Sequence, residues 1–187
     1  MYFKIFWILR AIFYKIFFNK IGNFSYFGKP LFLLGCSKIT IGNKVRIFPN
    51  SRMEVHGQNS FIKIEDDVSI GQGFHVISGG RLVIKKGVTI APNVFVNNMD
   101  NDYQEINVPT YAQKQIVRET CIGENSFLGI GSCILAGSTL GKQNIVGAGA
   151  IVKGDFPDYC VIAGNPARII KIYNPTESKW MNFNDVK

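Results

Sequence analysis

From Ile116 to Val152 an aliphatic residue recurs every six positions without a break: Ile116, Ile122, Leu128, Ile134, Leu140, Val146 and Val152. Glycine follows four of them directly, at Gly123, Gly129, Gly141 and Gly147. Four positions after the aliphatic stands a small residue, Ser126, Ser132, Ser138 or Ala150, with Asn144 the exception. A period of six matches neither the 3.6-residue helix nor the alternating strand. It predicts short strands joined by tight turns, three hexapeptides to a coil, with one aliphatic side chain inward from each. Coils of this kind stack like on like into one continuous core. The same phase recurs upstream in three triplets: Ile41, Ile47 and Met53; Ile64, Ile70 and Val76; Ile84, Ile90 and Val96.

The intervals from Met53 to Ile64 and from Val76 to Ile84 exceed six and read as small corner loops. Residues 97–115 form a longer excursion, and long loops on a rigid scaffold are where function concentrates. Residues 21–40 read as an irregular connector into the first coil, with turn signals at Gly22-Asn23 and Gly28-Lys29-Pro30. After Lys171 the repeat ends, Asn174-Pro175 signals a turn, and Trp180 and Phe183 belong to a short terminal arm. The expected organisation is an all-β chain: a segment over 1–34, a β-helix over 35–172 with the excursion at 97–115, and an arm over 173–187.

Charge is unevenly placed. The net charge is +8, yet no acidic residue precedes Glu54, while nine Lys and Arg do. Such a basic third points to an anionic partner. No DNA- or RNA-binding module accompanies it, so nucleic acid is not expected. Residues 1–18 are apolar and aromatic, and predict an amphipathic helix. Lys4, Arg10 and Lys15 interrupt any membrane span, and no small-residue cleavage site follows. Peripheral membrane contact through residues 1–18, or packing of this helix on its own domain or a subunit contact, are both open readings. Cys36, Cys121, Cys133 and Cys160 lack CxxC spacing, which fits a reduced cytoplasmic protein, either free or peripheral at the inner membrane face. Two histidines, His56 and His75, are too few for a three-histidine zinc site, so no metal is expected.

The stretch Ile122 to Lys171, and above all the closing Ala163-Gly164-Asn165-Pro166-Ala167-Arg168, resembles the hexapeptide-repeat acyltransferases, in particular the maltose, galactoside and polysaccharide O-acetyltransferase branch. The resemblance covers roughly residues 35–172. It implies a left-handed parallel β-helix, a homotrimer, and acetyl-CoA lying between neighbouring protomers. It also implies a sugar or glycan acceptor, of a cell-surface polysaccharide or its lipid-linked precursor. Carried over by position, the pantetheine arm would run along Ile130, Gly131, Ala148, Gly149, Lys153 and Gly154. The adenosine phosphate end would meet Pro166, Arg168 and Lys171, where a guanidinium fork suits phosphate.

Acyl transfer to a hydroxyl needs a general base, because an alcohol is a weak nucleophile near neutral pH. The resemblance places a histidine at position 101, but this chain has Asn101, which cannot titrate usefully. Three explanations stand: an engineered inactivating replacement, another base among Asp100, Asp102 and His75, or a non-catalytic CoA-binding relative. An N-acetyltransferase acting on an amino-sugar is a further variant. Phe127 stands where the family often has a tryptophan beside the acceptor. Tyr103 and Tyr111 are similar stacking candidates.

Overall fold

The computed structural model describes residues 3–186; Met1, Tyr2 and Lys187 of the terminal segments lie outside the described residues. The chain winds into a three-faced left-handed β-helix of about 7 turns. The first face stacks seven strands in parallel, from Lys20–Ile21 through Ile39–Ile41, Phe61–Ile64, Arg81–Ile84, Thr120–Ile122 and Thr139–Leu140 to Asp155–Phe156. The second runs from Tyr26–Phe27 through Arg46–Ile47, Ser69–Ile70, Thr89–Ile90, Phe127–Leu128 and Ile145–Val146 to Cys160–Gly164. The third stacks Phe32–Leu34, Arg52–Val55, His75–Ser78, Phe95–Asn97, Cys133–Ile134 and Ile151–Val152.

The hexapeptide phase sets the register. Ile41, Ile64, Ile84, Ile122 and Leu140 pair in succession up the first face. All five are buried, as are their counterparts on the other two faces. Each buried aliphatic contributes roughly 1.5–3 kcal/mol through the apolar surface it removes from water. The glycine after the aliphatic has a steric cause. A Cβ on Gly129 would stand 2.6 Å from the backbone nitrogen of Ala148 in the next coil. A Cβ on Gly22 or Gly28 would likewise meet the backbone of Gly42 or Pro49.

Those last two glycines correct the expected boundary at residue 35. The coil begins at Lys20, and the expected connector is a full first turn. Ile21, Phe27 and Leu33 are themselves six apart, and Gly22 and Gly28 follow the first two. The aromatic at position 27 hid the phase.

Ile116 is a second correction. It keeps the six-residue phase but lies only half-buried in a hairpin, not in the coil. The excursion expected over 97–115 is this hairpin, with Met99–Asn101 antiparallel to Gln115–Val117. Gly79 and Gly80 leave room for it, since Cβ atoms there would meet Met99 and Val117. Asn98, fully buried at its root, accepts the Gly79 N–H at 2.8 Å and donates to Ser78 Oγ at 3.2 Å.

Both ends of the coil are covered. At the start, α1 (Phe3–Tyr14) and the turn after it place Trp7, Ala11, Tyr14 and Phe18 over the first coil. Arg10 donates from Nη1 to the Phe27 carbonyl at 3.1 Å. At the far end, Cys160–Gly164 reverses through the cis Asn165–Pro166 bond into Ala167–Asn174, which pairs back antiparallel and is joined by Lys179–Asn182. The arm expected from residue 173 therefore starts within the closing motif. It pairs the last second-face edge with its own chain, so that edge does not offer a template to another strand.

Candidate active site

The corner between the second and third faces has a residue with left-handed backbone in each of five successive coils: Asn50 (φ 64°), Gly73 (68°), Asn93 (59°), Gly131 (66°) and Gly149 (65°). Asparagine tolerates that conformation, so the turn alone does not demand glycine at 131 and 149. What differs is the surroundings. A Cβ on Gly73 would collide with the Asn93 side chain, whereas Gly131 and Gly149 have nothing within 4 Å of that position. Gly154, beyond the third face, is equally open at φ 106°. The upper coils thus present an uncrowded backbone flanking the third face, of the kind a thin ligand arm can approach closely. The amides of Gly131 and Gly149 are themselves used by the coil, donating to Pro92 O at 3.1 Å and Ile130 O at 2.9 Å.

Below these glycines, the outward column of the third face reads Phe32, Arg52, His75, Phe95, Cys133, Ile151. His75 stands two rungs below Cys133, about 10 Å down a ladder of parallel strands. Its Nε2 lies 3.4 Å from Glu54 Oε1, and its ring meets Phe95 edge-on at 5.0 Å. Glu54 is 6% exposed and gathers three partners. The Arg52 Nε–H donates to Oε1 at 2.5 Å, and His56 Nε2 lies 3.3 Å from Oε2. The Arg52 hydrogen bond, then those of His56 and His75, hold the Glu54 carboxyl below the usual carboxylate range, although burial alone would raise it. It therefore stays ionised, and an Nε2–H on His75 would have it as acceptor. A groove lined by Leu31, Asn50, Arg52, Gln72 and Asn93 gives access to His75.

Glu54 and Arg52 were not among the sequence candidates. The signal was the alternation Arg52, Glu54, His56 along one strand and the residue after it, which places three polar side chains on the outer side of a coil. Only the coil-to-coil register brings His75 onto them.

The hairpin candidates fall elsewhere. Asn101 is exposed, and its backbone N–H donates to Asp100 Oδ1 at 3.0 Å. Asp102 Oδ1 accepts from the Tyr103 and Gln104 amides at 2.8 and 3.2 Å. Tyr103 and Tyr111 are both exposed. Phe127 is half-exposed on the second face, between Thr89 and Ile145, not on the histidine's face. Ala148 and Ile130 share the corner with the open glycines, and Lys153 precedes Gly154. Pro166, Arg168 and Lys171 lie on the return strand and its turn, where Arg168 Nη1 donates to the Ala167 carbonyl at 2.9 Å. Among the described residues no group of three or more His, Cys, Asp or Glu side chains is placed to share a metal ion. Burial pushes the Cys36, Cys121 and Cys160 thiols up, away from the thiolate a nucleophile needs.

Fold and site together define a hexapeptide β-helix with a histidine–carboxylate pair facing an open groove. No protein-family model matches the chain. It is 27% identical over 158 residues to a putative lipopolysaccharide biosynthesis O-acetyl transferase from Escherichia coli, covering 81% of this chain and 80% of that protein. It is 30% identical over 129 residues to a putative acetyltransferase from Saccharomyces cerevisiae, covering 68% of this chain and 63% of that one. A point mutant of the N-acyltransferase AntD from Bacillus cereus, solved with dTDP-4-amino-4,6-dideoxyglucose and coenzyme A, superposes with a TM-score of 0.76. That alignment spans 90% of this chain and 91% of that one, and at 20% identity it is a likeness of fold. In sequence the chain is similar to these acetyltransferases, and in fold to the hexapeptide-repeat acyltransferases.

Proposed function

We propose that this protein transfers an acetyl group from acetyl-CoA to a sugar, with His75 as the general base. The observation that carries the reading is the Glu54–His75 pair standing on the face flanked by the open Gly131, Gly149 and Gly154. Acetyl-CoA would supply the activated thioester and leave as coenzyme A thiol. Gly131, Gly149 and Gly154 leave space for its pantetheine arm, with Lys153, Arg168 and Lys171 as candidates for its phosphates. Glu54 holds the Nε2–H tautomer of His75, and Nδ1 takes the proton of the acceptor hydroxyl as its oxygen bonds to the acyl carbon. The carbon–sulfur bond then breaks, and His75 returns the proton to the departing thiolate.

The acceptor is proposed to be a sugar hydroxyl of a cell-surface polysaccharide or its lipid-linked precursor, with the amino group of an amino-sugar as the alternative nucleophile. The assembly is proposed to be a homotrimer. Ligand sites normally cover most of the ligand, and a neighbouring copy would close over the open groove that holds His75. The setting is proposed to be the cytoplasm, to which four free thiols are suited.

The test is release of free CoA with matched hydroxy- and amino-sugars for the unmodified chain, His75→Gln and Asn101→His. Turnover that vanishes in His75→Gln supports the reading. Full turnover in His75→Gln overturns His75 as the base, and turnover that arises only in Asn101→His overturns the reading in favour of a CoA-binding relative that has lost catalysis.

A further inference from the structure

α1 is apolar on two opposite sides. Trp7, Ala11 and Tyr14 face the first coil, while Ile5, Leu9 and Ile12 form the opposite stripe at helical spacing, 56%, 57% and 56% exposed. Ile16, in the turn that follows, extends the stripe and is 76% exposed. A surface helix whose inner face already packs on its domain needs a polar outer face, and this one lacks it. Phe24 adds to the same end. It sits in left-handed backbone at φ 59° and is 86% exposed. A bulky side chain there is strained, and no burial within the chain offsets that strain. A shallow groove lined by Ile8, Ile12, Lys15 and Phe24 runs between helix and coil.

The cations fit one occupant. Lys4, Lys15 and Lys20 are exposed at this end of the molecule, Lys4 over the Tyr26 ring, and neither the helix nor the first coil carries an acidic residue; Asp66 and Asp67, two coils on, line a groove that Phe24 shares. Two copies meeting through this face would bring like charges together, whereas an anionic lipid surface complements them. Twelve residues of helix span about 18 Å, well short of a bilayer core of about 30 Å. No helix among the described residues is long and apolar enough to cross a membrane. We infer that α1 and Phe24 form a docking face for an anionic membrane, lying in the headgroup region with the coil projecting away from it. The inference does not depend on acyl transfer.

The test is co-sedimentation of the full chain with phosphatidylcholine vesicles, with and without phosphatidylserine. Binding is expected only with phosphatidylserine and should weaken at least tenfold in high salt. The triple variant Ile5→Ser, Leu9→Ser, Ile12→Ser should lose binding at least tenfold with an unchanged melting curve. Phe24→Gly relieves the strained turn, so it keeps the fold and should weaken binding several-fold even if the triple variant misfolds. Failure of the unmodified chain to bind phosphatidylserine vesicles at low salt overturns the inference, as does unweakened binding of Phe24→Gly. So does a triple variant that falls to a smaller assembly in sedimentation velocity while the unmodified chain ignores vesicles, because the face is then a contact between copies.

Discussion

His75 and Glu54 matter at the scale of single residues because each fixes what the other can do. In the proposed reaction the buried carboxylate, held ionised by Arg52, would orient the imidazole and stabilise the positive charge it gains on taking a proton. His75→Gln should lower kcat by roughly 100-fold or more while leaving the KM for acetyl-CoA near its starting value, measured as initial rates of CoA release. Glu54→Gln should lower kcat less, by about tenfold, and shift the acidic limb of the pH–rate profile, since an amide cannot stabilise the imidazolium. Glu54 also makes a stability prediction. Its folded pKa lies below its unfolded value of about 4.3, so its contribution is present above that pH and is lost as pH falls through the lower folded value. Thermal melts across the acid range should show a shallower pH dependence in Glu54→Gln than in the unmodified chain.

The corner turns, as elements, separate two kinds of glycine that look alike in the repeat. Gly129 is needed by the stack. Gly129→Ala should cost roughly 1–3 kcal/mol through the overpacked backbone contact, visible as a lowered melting temperature. Gly149 stands in a left-handed column that already accepts Asn50 and Asn93. Asn93 lays its side chain over Gly73 below it, so an asparagine at 149 would lie over Gly131 in the same way. Gly149→Asn should therefore leave the melting temperature nearly unchanged and raise the KM for acetyl-CoA several-fold. An equal fall in stability for both variants would mean that Gly149 serves the coil alone. The hairpin Met99–Asn101 with Gln115–Val117 is an element of another sort. It is rooted through buried Asn98 but carries Asn101, Asp100 and Tyr103 on exposed positions.

For the whole molecule, the coil is a rigid prism with an apolar basic cap at one end and a self-paired hairpin at the other. Sedimentation equilibrium should return the mass of three chains of 20.9 kDa each. A monomer that turns over fully would remove the need for a neighbouring copy over the groove.

Much of the fold was legible because a six-residue period admits few solutions. The aliphatic ladder, the glycine after it and the small residue four positions on are local consequences of one corner geometry repeated. The same rule misled at Ile116, where the phase continued while the chain had left the coil, and at residues 21–34, where Phe27 masked a genuine turn. The site was less legible. His75 could be read as an outward residue, but not its partner, because Glu54 is 21 positions away and they meet only when one coil stacks on the next. The open and crowded glycines carry the same letter for a similar reason. The period alone determined that this chain is a stacked coil. Which outward side chains share a column, and which corners stay empty, was decided by the register between coils, because stacking converts separations of about twenty residues into direct neighbours.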